Sequence, residues 1–220
     1  MQDSSLAATG FVKALPADVR TALLASGRDQ RFARGQIIQQ RGDRAREFWY
    51  VASGTVQIGR YGLDGRLILF ALLGAGDTFG ELAFMGEFPR AVDAIAGSAC
   101  TLTRIGEGAL RRLMESDPAI TRLLLKTMAL TVQEAFDLIE ASRNLSVPQR
   151  LAQALLQLSA DRPEDRAVRA TQQDLADLVG VSRVSLGKAL ARLQEEGLVD
   201  PGYGFIGIAD RGALRAFLAD

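Results

Sequence analysis

One stretch constrains this chain more than any other: Thr171 to Leu193, TQQDLADLVGVSRVSLGKALARL. It reads as a helix, a short turn and a second helix. Ala176 stands where two helices cross and only a small side chain fits. Gly180 follows four residues later, where the turn needs a left-handed backbone without a Cβ penalty. Leu175, Val179, Val181, Leu186 and Leu190 form an apolar seam between the helices. Thr171, with Asp174 three residues on, has the pattern of an N-cap, and Ser182 caps the second helix. That second helix then turns Arg183, Ser185 and Lys188 outward. A basic, hydroxyl-bearing face just past a tight turn suits a DNA major groove. The alternative is an ordinary two-helix hairpin packed into a core. Small, glycine, cap and basic positions falling in one register favour the first reading.

Composition narrows the rest. The 220 residues allow one or two domains, and no apolar run approaches the roughly 18 residues that span a bilayer. The opening MQDSSLAATG has no basic stretch followed by an apolar core, and the chain has one cysteine, Cys100, so the expected compartment is the cytoplasm. Cys100 lies in the alternating SACTLTRI and reads as a buried strand residue, with a redox role as the alternative. A single cysteine excludes a four-cysteine iron–sulfur cluster. The absence of histidine removes Ser-His-Asp and Cys-His nucleophiles and histidine-bound zinc or haem. No paired carboxylates suggest catalysis, so the expectation is a protein that is not an enzyme. The 26 basic and 26 acidic residues cancel, so attraction to nucleic acid must come from local placement.

The texture changes along the chain. Residues 1 to about 28 read as helical, with Leu6, Leu15, Val19, Leu23 and Leu24 apolar and Pro16 opening a second short helix. From Phe32, short alternating runs (QIIQQ, EFWYVASGTVQIG, RLILFALL, AVDAIAG, CTLTRI) are punctuated by Gly35, Gly42, Gly54, Gly65, Gly74, Gly76 and Gly80. Even spacing with glycine turns predicts an antiparallel roll or barrel, and DGR at 64–66 predicts a hairpin turn. Near Glu107 the period becomes helical, and one long helix is expected from Asp117 to Arg143. Thr121, Leu125, Met128, Val132, Ala135, Ile139 and Ser142 alternate spacings of four and three, an a/d stripe over about three heptads. Such a stripe predicts a homodimer seam through Leu125, Met128, Val132, Ala135 and Ile139; the alternative is packing on the chain's own β domain. A wider face with Leu124, Phe136 and Leu138 allows both. NLSVPQRLAQALLQLSAD starts a new helix capped by Ser146, with NLS as the hinge. The polar DRPEDRAVRA leads into the helical pair, LVDPGYGFIGIAD reads as a two-stranded wing, and a helix over 211–218 closes the chain.

One further constellation stands in GELAFMGEFPR. Gly80, Glu81 and Leu82 open a short helical turn with free backbone N–H groups, and Arg90 follows nine residues after Glu81. This can cradle a phosphate, with Glu81 accepting from a ribose hydroxyl. The alternative is that Glu81 and Arg90 pair with each other or with neighbours and lock the turn.

Together FWYVASGTVQI, DGR, GDTFGELAF…PRA, ACTL, the 117–143 helix and TQQDLADLVGVSRVSLGKALARLQEEGLV resemble the superfamily of the cyclic AMP receptor protein and the fumarate-nitrate regulator, from about Phe32 to Phe217. The resemblance implies an α+β chain: an N-terminal antiparallel β-roll (a double-stranded, jelly-roll-like effector domain) over 1–116, a dimerisation helix and hinge over 117–145, and a winged helix-turn-helix over 146–220. It implies a homodimeric bacterial transcription regulator that binds a near-palindromic DNA site, works with RNA polymerase and touches no membrane. It also implies cyclic AMP or cyclic GMP as effector, held by Gly80, Glu81, Leu82, Arg90 and residue 91 and by a pair on the long helix.

The chain departs from that pattern at several points. Cyclic-AMP-responsive members carry Ser or Thr after the arginine; here Ala91 stands there. Counting back from Arg150 places the purine-facing pair at Ala135 and Phe136, without hydroxyls. Each missing hydroxyl forfeits roughly 0.5–1.5 kcal/mol. Phe136 can stack on a base or fill the pocket, so another ligand or constitutive activity stays open. In the recognition helix, a glutamate common in the superfamily is replaced by Val184, which can touch a thymine methyl but accepts no hydrogen bond. Arg183 can fork onto guanine, Lys188 acts as a point charge, Ser182 and Ser185 add hydroxyls, and Gln172 and Gln173 suit backbone positioning. A scaffold whose winged helix binds protein is the competing function.

Overall fold

The computed structural model describes residues 10–44, 46–62, 65, 67–159, 167–202 and 204–219. They fall into two compact units that part between Val132 and Gln133.

The N-terminal unit opens with two short helices, α1 (Gly10–Lys13) and α2 (Ala17–Ala25). The expected helical region stops there, because Arg28–Phe32 forms strand β1. RDQRF has one apolar residue and no strand signal; it is extended because its backbone pairs with strand β8 (Cys100–Gly106), from Arg28 opposite Arg104 to Phe32 opposite Cys100. The glycine-punctuated runs then give β2 (Ile37–Gln39), β3 (Glu47–Ser53), β4 (Val56–Tyr61), β5 (Leu67–Leu73), β6 (Thr78–Phe79) and β7 (Asp93–Ala96). A five-residue helix, α3 (Glu81–Met85), stands between β6 and β7. Asp64 and Arg66 of the expected DGR turn lie outside the described residues, as do residues 1–9 with Leu6; β4 and β5 pair antiparallel on either side of that turn.

These strands make two four-stranded antiparallel sheets, ordered β1-β8-β3-β6 and β2-β7-β4-β5. Side-chain alternation decides what each face buries. Trp49, Val51 and Leu102 point between the sheets and meet Val56, Leu73, Ala94 and Ala96. Phe48 and Ile105 point the other way, onto Phe11, Val12, Leu15 and Leu23 of the N-terminal segment. Helix α4 (Glu107–Ser116) adds Leu110 to that second core, and α5 (Pro118–Asn144) adds Ile120 and Leu124. Cys100 is buried in the inter-sheet core, and burial pushes its thiol up from the ordinary range, as a structural cysteine requires.

The C-terminal unit holds the second half of α5 and the winged domain. Helix α6 (Val147–Leu158) begins where the Ser146 N–H and hydroxyl donate to Gln149 Oε1. Helices α7 (Gln172–Val179) and α8 (Arg183–Glu195) follow, then strands β10 (Val199–Gly202) and β11 (Phe205–Ile208) and helix α9 (Arg211–Ala216). Leu151, Leu155, Leu175, Ala176, Leu186, Leu193, Ile208 and Leu214 make one core. Part of the expected polar loop is instead strand β9 (Ala167–Val168), whose Val168 is buried opposite Ile206 and extends the wing to three strands. Residues 161–166 of that loop and Tyr203 lie outside the described residues.

Candidate effector pocket and nucleic-acid interface

In the roll, Gly80 takes φ 97°, and a Cβ there would stand 2.4 Å from Arg90 Nη1. Glycine therefore lets the guanidinium lie against the chain, where Nη1 donates to the Gly80 carbonyl at 2.7 Å. Backbone bonds between Arg90 and the Gly42–Asp43 turn pin the residue at 2.8 and 2.9 Å. Its Nη2 donates to the Glu47 carbonyl (2.6 Å) and to Glu47 Oε1 (3.0 Å). Three of the five guanidinium N–H groups are thus occupied, and the side chain is 1% exposed. Glu47 Oε2 accepts in turn from Arg104 Nη2 at 3.0 Å. The alternative in which Arg90 pairs with a neighbour is the arrangement seen, with Glu47 as the partner.

Glu81 sits on the same turn. Burial pushes its carboxyl above the ordinary range, opposed by its own backbone N–H and by the Arg90 charge, and its Oε2 is shut from solvent with no hydrogen-bond partner among the described residues. Gln39, from β2, is also buried; its Nε2 donates to the Val92 carbonyl, while its Oε1, 3.4 Å from where a Cβ on Gly80 would stand, has no hydrogen-bond partner among the described residues. Two buried acceptors, Glu81 Oε2 and Gln39 Oε1, thus stand near Gly80 and the Arg90 guanidinium. Leu82 is exposed, and Ala91 is exposed with its carbonyl accepting from Arg60 Nε at 2.7 Å. Ala135 and Phe136 lie on α5 past Val132, in the other unit, and both are exposed.

Glu47 and Gln39 were not among the residues the sequence singled out. A signal existed for Glu47: it shares strand parity with Trp49 and Val51, which face inward, and an inward carboxylate demands a partner.

In the C-terminal unit the turn forms as its residues require. Thr171 Oγ1 accepts from the Asp174 N–H at 3.1 Å while Asp174 Oδ2 accepts from the Thr171 N–H at 3.0 Å. Gly180 ends α7 at φ 73°, and Ser182 Oγ accepts from the Ser185 N–H at 3.1 Å. Leu186, Ala189, Leu190 and Leu193 bury one face of α8. The opposite face exposes Arg183, Val184 and Lys188, with Ser185 half-buried; Val184 is 71% exposed, unusual for a large aliphatic side chain. Gln172 and Gln173 are exposed at the start of α7, Gln173 donating to Asp177 Oδ1 at 2.8 Å.

Residues 29–117 match the cyclic nucleotide-binding domain family and residues 149–217 the Crp-like helix-turn-helix domain family. A CRP-like cAMP-activated global transcriptional regulator of Mycobacterium tuberculosis is 30% identical over 203 residues, 90% of this chain and 91% of that protein. This chain belongs to the CRP/FNR family of transcription regulators. The cAMP-activated global transcriptional regulator CRP of Salmonella typhimurium is 27% identical over 173 residues, 76% of this chain and 82% of that one. FixK2 from Bradyrhizobium japonicum shares the fold, with a TM-score of 0.77 at 20% identity over 86% of this chain and 96% of that chain. This CRP/FNR chain is therefore a DNA-binding transcription regulator, and its arrangement of roll, long helix and winged helix-turn-helix is the α+β one expected.

Proposed function

We propose that this regulator binds a near-palindromic operator as a homodimer, with α8 reading each half-site. The exposed Arg183-Val184-Lys188 face on a helix capped by Ser182 is the observation that carries this reading. Arg183 forks onto a guanine, Val184 packs on a thymine methyl, Lys188 meets phosphate, and Gln172, Gln173, Ser182 and Ser185 fix the register. The preferred half-site differs from one read by a glutamate at position 184.

The dimer seam is α5. Leu125, Val132, Phe136 and Ile139 are all exposed along one stripe, each more than half accessible. Met128 stands apart: it packs against the core of its own unit, so its share in the seam is smaller than that of its neighbours. The functional division is a roll over 1–116, a seam and hinge over 117–145 and a DNA-reading domain over 146–220.

The roll holds a small phosphate-bearing effector, with a cyclic nucleotide as its class. Arg90 meets the phosphate and Glu81 Oε2 accepts from a sugar hydroxyl. The unmet acceptors at Glu81 and Gln39 fit a ligand with hydroxyl or amino donors. Ala91 offers only its backbone. The protein acts in the cytoplasm, as an activator or repressor that meets RNA polymerase on DNA. Selection from randomised duplexes at two salt concentrations tests the DNA reading. A two-fold symmetric motif whose affinity falls steeply with salt supports it; uniform retention of all sequences refutes it.

A further inference from the structure

We propose that Glu47 is an internal counter-ion that competes with an anionic ligand for Arg90, and so sets the affinity of the roll for phosphate-bearing effectors. The proposal rests on the effector reading above and adds its regulation.

Both N–H groups of Arg90 Nη2 go to Glu47, one to the backbone carbonyl and one to the carboxylate. The guanidinium is almost fully buried, so the carboxylate on it is poorly screened by solvent. A phosphate reaching Arg90 must either share the guanidinium with Glu47, bringing two anions together, or displace it. Displacement has somewhere to go. Glu47 is partly exposed and its other oxygen already holds Arg104, a side chain that is about half exposed. The backbone carbonyl of Glu47 stays on Arg90 whatever its side chain does, so the arginine remains aimed when the carboxylate leaves. Arg104 is thus the alternative partner that lowers the cost of release.

Trp49 provides the readout. It is the chain's one tryptophan, two residues from Glu47 on the same strand, and its ring stacks on Phe79 at 6.4 Å, next to Gly80.

The test titrates full-length wild type, Glu47→Gln, Arg104→Gln and Arg90→Gln with cyclic AMP and cyclic GMP, followed by Trp49 emission and calorimetry. Glu47→Gln keeps a hydrogen-bond acceptor and removes the charge. It should bind about tenfold or more tightly than wild type, the scale of one charge-assisted hydrogen bond. Arg104→Gln, an exposed change that leaves the core intact, should weaken binding, and less so when combined with Glu47→Gln. Arg90→Gln should abolish binding in every background. A Glu47→Gln protein with unchanged or weaker affinity overturns the counter-ion role while leaving the effector reading in place. If no protein binds either nucleotide, the cyclic-nucleotide reading falls. The counter-ion role is then decided by melting in inorganic phosphate against chloride at equal ionic strength. Phosphate stabilising Glu47→Gln more than wild type, and not Glu47→Gln/Arg90→Gln, sustains it; equal responses overturn it.

Discussion

Single residues carry the chemistry of both units, and their environments make opposite demands. Glu81 is a carboxyl whose burial outweighs the backbone N–H and the Arg90 charge that favour ionisation. Its folded pKa lies above the ordinary 4.5, so between the unfolded and folded values the folded state holds a proton that the unfolded chain has released. The stability this contributes is complete below the unfolded value and is lost as pH rises through the folded one. Glu81→Gln mimics the protonated form. It should melt close to wild type near pH 4 and above it at pH 7, the gap opening with pH and then levelling. A pH-independent gap in melting temperature would show that the charge is not what Glu81 costs the fold. Two glycines make a paired case. Gly180 has φ 73° and open space around its would-be Cβ, so Gly180→Ala should lose about 1–2 kcal/mol through backbone strain alone. Gly187 sits inside α8, where an added Cβ would meet no neighbouring atom of the described residues within 4 Å, so Gly187→Ala should gain roughly 0.5–1 kcal/mol. Urea melts of both variants check the signs.

Elements act through faces, and α8 has one for the core and one for DNA. Arg183→Ala should cost about 1–3 kcal/mol on the cognate site and relax preference at one guanine per half-site. Lys188→Ala should weaken all sequences more evenly and flatten the salt slope by about one unit. Val184→Glu should draw the motif toward a cytosine-containing step, because a carboxylate accepts from the cytosine amine. Selection with wild type and the three variants reads all of this at once; four identical motifs would remove α8 as the reader. Neutral overall charge is no obstacle, since the acidic Glu195 and Glu196 fall at the far end of the helix from Arg183 and Lys188.

At the scale of the molecule, α5 joins the two units and presents the exposed stripe of Leu125, Val132, Phe136 and Ile139. An apolar stripe of this length has little reason to face water in a monomer. Ile139→Lys and Val132→Lys should give monomers by light scattering, because each puts a charge into the seam and neither residue supports its own core. Met128→Lys should instead lower the melting temperature of the N-terminal unit, whose core it borders. Dimeric Ile139→Lys and Val132→Lys proteins would refute the seam.

Local rules made much of this protein legible. Glycine at a left-handed turn, caps at Thr171 and Ser182, strand alternation around Trp49 and the a/d spacing on α5 all act within a few residues, so the chain carries them openly. The same rules predicted the roll, the long helix and the winged helix pair. What they could not reach depends on partners far away in sequence. Strand β1 exists because RDQRF finds the backbone of β8, and β9 because Val168 finds Ile206; neither segment has a strand pattern of its own. The state of Arg90 is the sharpest case. Its spacing from Glu81 offered a phosphate ligand or a lock, and only the fold brings Glu47, 43 residues earlier, onto its guanidinium. A buried charge takes whatever counter-charge the chain topology delivers, and topology is a property of the packed sheets rather than of any short stretch.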